Sequence, residues 1–266
     1  MNVGIIGTGT KARERAVEAL PGITFQGVLD AAPLDAFLER VDVVFVTAPT
    51  AEHFRIAEVA TKQGVHVFLE WPPATSLQEC QAIIELSEEA GVEVGVSRPL
   101  RFHPVFETLP EGARASLILM RWERPLEDDA AWPHWLADAA DLCCALSQSS
   151  SVQRIDAEAV RSASAWPDAV AFGLRFHSST YAQVSIRRSA GPTGGALYVA
   201  GAGFEVEAAL DENDAESQAY VSEPSLVEAE TRAFVRALAA QQPAPVSILD
   251  GLHTMRLVER LMKKLR

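Results

Sequence analysis

Gly7-Thr8-Gly9-Thr10-Lys11-Ala12 is the stretch whose residue types and spacing most directly imply chemistry. It has the form G-x-G-x-x-A and lies between an apolar run, Val3 to Ile6, and a helical pattern over Lys11 to Leu20. Gly7 permits a tight turn. Gly9 lets the backbone approach a pyrophosphate with no side chain in the way, and Ala12 allows the helix to pack closely on the strand. The start of the helix offers unbonded N–H groups and a partial positive charge to the phosphates. A second apolar run, Ile23 to Leu29, ends at Asp30, eighteen residues beyond Ala12, where a carboxylate accepts hydrogen bonds from ribose hydroxyls. Together these residues predict a dinucleotide site. Asp30 repels a 2′-phosphate and favours NAD over NADP, while Lys11 and Arg13 stand where they could offset that repulsion.

The elements that must position such a site follow in order. A short helical segment, Leu34 to Arg40, precedes the nearly unbroken apolar run Val41 to Val46, the pattern of a strand buried on both faces. A helix over about Ala51 to Gln63 ends at Gly64, and Val65 to Leu69 is the next strand. Ser76 with Glu79 three residues on forms a capping box for a helix that Gly91 stops, and Val92 to Val96 is a fifth strand. Strands alternating with helices predict an α/β fold with a parallel, doubly wound sheet, whose ligands bind at the carboxyl ends of the strands. The residues just past those ends are Thr8, Asp30, Thr47 to Thr50, Glu70 to Pro72, and Ser97-Arg98.

Beyond about Arg98 the pattern changes. Ala115 to Trp122 has the pattern of a strand, and Trp132 to Ser147 that of a helix. Ala169 to Phe176 and Tyr181 to Arg187 alternate as a hairpin, with Phe172, Leu174 and Phe176 on one face. Leu197 to Ala200 and Phe204 to Leu210 make another, and helices over Ser225 to Ala240 and Leu249 to Leu265 close the chain. This divides the chain into a Rossmann domain, residues 1–98, and an α+β domain, residues 99–266. The outward face of the second sheet has few other elements left to cover it, and large sheet faces often pair between subunits, so a homo-oligomer through this sheet is expected; its polar members Arg175, His177, Gln183 and Arg187 could equally face water.

Composition limits the partners. The chain of 266 residues is 48% hydrophobic and 22% charged, ordinary for a soluble globular protein. A formal charge of −13 opposes nucleic acid and anionic membranes. No apolar run is long enough to span a bilayer, and no cleavable leader is expected before the first strand. Three cysteines, with Cys143 and Cys144 adjacent, form neither a disulfide framework nor a zinc site. The acidic loop Glu127-Asp128-Asp129 has no recognisable metal-ligand spacing either. A cytoplasmic protein with a small-molecule substrate and no metal is expected.

The order of motifs resembles the glucose–fructose oxidoreductase / inositol dehydrogenase (Gfo/Idh/MocA) family. The matching pieces are Gly7-Thr8-Gly9, Thr47-Ala48-Pro49 with His53 four residues on, Gly64 through Glu70-Trp71-Pro72, and Arg101-Phe102-His103-Pro104. Phe234 to Leu238, Pro245 and Asp250-Gly251 resemble the family's closing segments. The resemblance implies a Rossmann domain followed by an α+β domain with a large, mostly antiparallel sheet. It also implies oxidation of a sugar or polyol carbon, or reduction of a carbonyl, with NAD or NADP. Thr47, Ala48, Pro49 and His53 would then lie along the cofactor, with Glu70 and Trp71 near the nicotinamide.

The chain departs from that pattern twice. The family usually has glutamate-lysine-proline where Glu70-Trp71-Pro72 stands. Its lysine orients the substrate hydroxyl and stabilises charge on the oxygen, whereas Trp71 has one neutral N–H donor and no titratable proton. The family also commonly carries an aspartate and then a histidine four residues later. Aligned on Asp141, this chain has His134 and then Asp138, on one helix face but in reversed order. The imidazole of His134 could still serve as a general acid or base. The biliverdin reductase branch is similar in placing an aromatic between the glutamate and the proline, with arginines assisting protonation. Arg98 and Arg101 are the corresponding candidates here, or else partners for Glu70 or Glu107. Three readings result: an NAD(P)-dependent oxidoreductase, a catalytically silent nucleotide or metabolite binder, and a biliverdin-reductase-like enzyme.

Overall fold

The strand predicted over Val3 to Ile6 is β1 (Asn2–Gly7), and in the computed structural model its apolar side chains are buried on both faces. The structure describes residues 1–8, 11–29, 33–125, 131–162, 166–191, 193–210 and 225–265. They form two units, residues 1–99 with 222–253, and residues 100–221 with 254–266.

In the first unit β1 is followed by α1 (Lys11–Glu18), β2 (Thr24–Leu29), α2 (Leu34–Leu38), β3 (Val43–Thr47), α3 (Thr50–Lys62), β4 (His66–Leu69), α4 (Leu77–Ala90) and β5 (Val94–Val96). The five strands are parallel in the order β2-β1-β3-β4-β5. Helices on both faces require the central strands to be apolar throughout, and Val43 to Val46 are wholly buried. Ser76 caps α4 by accepting the Glu79 N–H at 3.1 Å, and Gly91 ends it in the left-handed conformation. The capping box is offset by one residue: the Glu79 carboxylate accepts from Thr75 N–H and O–H, at 2.9 and 2.6 Å, rather than from Ser76 N–H.

The division of the chain differs from a cut at residue 98. Helix α7 (Leu226–Ala239) packs in the first unit because Phe234 and Val235 join Val3, Phe45 and Phe68 in one apolar cluster. Phe234 sits 4.9 Å from the Phe68 ring and 6.0 Å from the Phe45 ring. A Cβ on Gly95 would lie 2.8 Å from both Phe234 and Phe68, so β5 needs glycine there to admit the helix. The segment before α8 (Ile248–Lys264) runs beside β5, with Val96 N–H on the Val246 carbonyl at 3.0 Å. Ser247 and Asp250 cap α8 reciprocally.

The second unit carries α5 (Val105–Thr108), β6 (Ala115–Pro125), α6 (Trp132–Ser147), β7 (Val152–Val160), β8 (Ala169–Phe176), β9 (Tyr181–Ser189), β10 (Gly194–Gly201) and β11 (Phe204–Ala209). Its sheet has the order β11-β10-β6-β9-β8-β7 and is antiparallel except between β6 and β9. The alternation in β8 buries Phe172, Leu174 and Phe176 against α6, while Arg175 stays exposed. Sequence reasoning missed β7. It is an edge strand in which Ile155 alone is fully buried, so its apolar alternation is too weak to read.

Candidate functional site

Register sets the site. Gly7 pairs with Thr47, Val46 with Leu69 and Leu69 with Val96, so Gly7, Thr47, Glu70 and Ser97 line up across four adjacent strand ends. Gly7 has φ +107°, and a Cβ there would lie 2.5 Å from Ala48 N. Glycine is therefore required twice over, by conformation and by the approach of the next strand. Thr47 O–H donates to the Ile6 carbonyl at 3.3 Å, tying β3 to β1. His53, buried on α3, sets one ring nitrogen 2.8 Å from the Ala48 carbonyl and the other 3.0 Å from the Pro72 carbonyl. It thus couples the turn after β3 to the turn after β4, where the Trp71–Pro72 peptide bond is cis.

Beneath Glu70 lies a polar cluster that the sequence reading did not foresee. Arg13 is fully buried in α1. Its Nε donates to Glu70 Oε1 at 2.7 Å, Nη1 to Thr231 Oγ1 at 2.9 Å, and Nη2 to Ser97 Oγ at 3.0 Å and Glu230 Oε1 at 2.7 Å. The guanidinium lies 4.8 Å from the Phe68 ring centroid. Glu230, also buried, accepts further bonds from Ser97 O–H at 2.7 Å and Arg98 N–H at 2.9 Å. Burial opposes the Arg13 charge, but Glu70 and Glu230 together hold its pKa above the ordinary value. Burial lifts the Glu230 carboxyl above the usual carboxylate range; Arg13 pulls it down and Glu70 pushes it further up. One cation is shared between two carboxylates.

This corrects the assignment of Arg13. Its side chain is spent inside the fold, so of the two basic residues weighed against Asp30, only exposed Lys11 remains at the surface of α1. A signal for the cluster was present. Arg13, Ala16, Val17 and Leu20 share one helix face, as do Leu226, Glu230 and Phe234, so each apolar face carries one charge, of opposite sign.

The other predicted residues fall as follows. Trp71 is partly buried, and the Arg98 guanidinium stacks 3.4 Å from its ring centroid. Thr8 is exposed and Ala12 partly so, while Gly9, Thr10 and Asp30 lie outside the described residues. In the second unit Arg101 is committed to Asp141: Nε meets Oδ2 and Nη2 meets Oδ1, each at 2.8 Å, and Thr254 O–H reaches Oδ1 at 3.0 Å. His134 is exposed in the first turn of α6, and Asp138 is partly buried one turn on. The acidic loop 127–129 lies outside the described residues. Burial pushes the Cys143 thiol up, so it is a poor nucleophile. Among the described residues there is no cluster of three or more metal-ligating side chains, and no helix is long and apolar enough to cross a membrane.

The strand-end arrangement has counterparts in known proteins. The model of an oxidoreductase family with an NAD-binding Rossmann fold matches residues 3–98. Over 141 residues, 47% of this chain, the sequence is 32% identical to UDP-N-acetylglucosamine 3-dehydrogenase of Acidithiobacillus ferrooxidans, covering 45% of that protein. Over 107 residues it is 32% identical to a D-xylose 1-dehydrogenase (NADP(+)) of Haloferax volcanii, covering 40% of this chain and 32% of that one. Each match thus spans less than half the relative's length. The solved structure of the Acidithiobacillus enzyme superposes with a TM-score of 0.81 over 100% of this chain and 97% of its own, at 19% identity. That likeness shows the two-domain fold.

Proposed function

We infer the activity from one premise: the chain belongs to the Gfo/Idh/MocA oxidoreductase family. We propose a dehydrogenase that uses NAD(H) and acts on an alcohol or carbonyl carbon of a small substrate, with sugars and sugar nucleotides, the substrates named for its relatives, as the first class to test. The observation that carries this is the row of strand ends, with Gly7, Thr47, Glu70 and Ser97 in register beside the start of α1. Residues of the Gly7 turn and the N-terminus of α1 would hold the pyrophosphate, and Asp30 the adenosine ribose. With Arg13 buried, the balance around Asp30 favours NAD(H). When bound, the nicotinamide supplies or accepts the hydride. The chain's own residues orient the reactants and exclude water. Trp71 cannot move a proton, and Arg98, held over its face, is a fixed positive charge. His134, exposed on α6, is the candidate we propose for proton transfer.

A second reading, a nucleotide binder without turnover, is favoured by two observations. The lysine position is filled by a stacked tryptophan, and Arg101 is spent on Asp141. Calorimetric titration with NADH and NADPH, followed by a turnover screen against sugars, polyols, keto acids and conjugated acceptors, separates them. Tighter NADH binding with turnover supports the enzyme, and tight binding with no turnover supports the binder. Gly7→Ala should abolish nucleotide binding, because its Cβ would meet Ala48 N at 2.5 Å. Unchanged affinity in that variant refutes the strand-end site.

The proposal extends to a homodimer through the outward face of the second sheet. That face exposes Leu119, whose cross-strand partners are Tyr198 on β10 and Gln183 on β9. Sedimentation velocity of the wild type and Leu119→Arg tests it, with a monomeric wild type as the refuting result.

A further inference from the structure

Arg13 and Glu230 are buried charges on two helices 217 residues apart in the chain. Burying a charge pair is no better for stability than packing apolar side chains of similar volume. What the pair adds is direction. The guanidinium is planar, and its bonds to Glu70, Thr231, Ser97 and Glu230 leave it no freedom to turn. Glu70 Oε1 is drawn inward at 2.7 Å. Glu70 Oε2 has no hydrogen-bond partner among the described residues, on a side chain that is 31% exposed. In the sheet order, β2 and β4, the strand that Glu70 follows, lie on opposite sides of β1. A dinucleotide whose pyrophosphate sits at the β1–α1 turn and whose adenosine ribose lies at the end of β2 extends its nicotinamide half toward Glu70.

We propose that Arg13 and Glu230 are positioning residues that turn Glu70 Oε2 outward as a fixed acceptor for N–H or O–H donors at the nicotinamide end of the bound dinucleotide. This rests on the dinucleotide reading above. Arg13→Lys is the informative variant, because it keeps the charge and loses the fork that reaches four partners at once. The ligands are NADH and ADP; ADP carries the adenosine and pyrophosphate but neither the nicotinamide nor its ribose.

By calorimetry, Arg13→Lys should weaken NADH about tenfold, the scale of one hydrogen bond to a charged group, and leave ADP unchanged. Glu70→Ala should do the same, and the double variant should be no weaker than Glu70→Ala alone. Unchanged NADH affinity in Arg13→Lys overturns the proposal. So does an equal loss for NADH and ADP, which marks a merely structural role, or a multiplicative loss in the double variant. If Arg13→Lys does not fold, Glu230→Gln takes its place in the same cycle. A wild type that binds neither ligand refutes the dinucleotide reading and this inference with it. A wild type that binds both, with Arg13→Lys indistinguishable from it, refutes this inference alone.

Discussion

Each unit buries an arginine against a carboxylate, and the two pairs differ in what they leave open. In the second unit Asp141 is 2% exposed, and both its oxygens accept from Arg101, with Thr254 adding a third bond. In the first unit Arg13 is shared between Glu230 and Glu70, and Glu70 is 31% exposed, with one oxygen unpartnered among the described residues. A buried ion pair is by itself weak evidence of either stability or function. The first pair is distinguished by its place at the strands' carboxyl ends and by a carboxylate in excess of the cation that holds it. The second fixes α6 to the start of its own unit and presents nothing outward from Asp141.

Removing each arginine breaks this comparison most directly. Arg13→Met leaves Glu70 and Glu230 facing one another with no cation between them. Removing one partner of a buried pair costs about 3–5 kcal/mol, so the urea midpoint should fall steeply. Arg101 is 17% exposed, and water can in part replace it. Arg101→Met should cost less, about 2–3 kcal/mol, by the same measurement. The sharper contrast is in binding: Arg101→Met should leave NADH affinity as in the wild type. An equal loss of affinity in the two variants would mean that the pairs do the same work.

Glu230 adds a smaller, pH-dependent difference. Its folded pKa is raised by burial, so the folded chain binds this proton more tightly than the unfolded chain does. The stability it contributes is fully present below the unfolded carboxylate value, about 4.3, and is lost as pH rises through the folded value. Glu230→Gln cannot titrate. The stability difference between wild type and variant should therefore shift toward the variant as pH rises from about 4 to about 8, by urea unfolding at each pH. A shift in the opposite sense would mean that Arg13, rather than burial, dominates that carboxyl.

The elements of the first unit were legible because a parallel sheet covered on both faces writes itself as apolar runs, such as Val43 to Val46. Gly7 was legible for a similar reason, since a turn that admits no Cβ leaves a glycine in the sequence. The polar cluster was not, although its parts stood in plain view. Arg13 lies at the start of α1, where a basic residue is ordinarily taken as surface, and its partners Glu70, Ser97, Glu230 and Thr231 come from strand ends and a helix far along the chain. Only the folded topology brings them together. Arg101 is the converse case: a conspicuous arginine whose partner, Asp141, lies forty residues further along the chain and could not be read from its neighbours. Edge strand β7 was lost because one buried face residue makes no period.

The smallest expected change in stability belongs to His134, and it decides whether the second unit contributes chemistry at all. Its side chain is exposed on α6, so His134→Ala should alter stability by no more than about 0.5 kcal/mol. Nucleotide affinity should also stay as in the wild type, because the residues proposed to hold the dinucleotide belong to the first unit. If the protein is an enzyme that moves the substrate's proton through this imidazole, turnover falls about 10²–10⁴-fold in the variant. The loss should appear in kcat rather than in nucleotide affinity. If the protein binds without turnover, nothing measurable changes. Unaltered turnover in an active wild type would exclude His134. The proton would then have to be carried by another group, since Trp71 has no titratable proton and the guanidinium stacked on it does not release one at neutral pH.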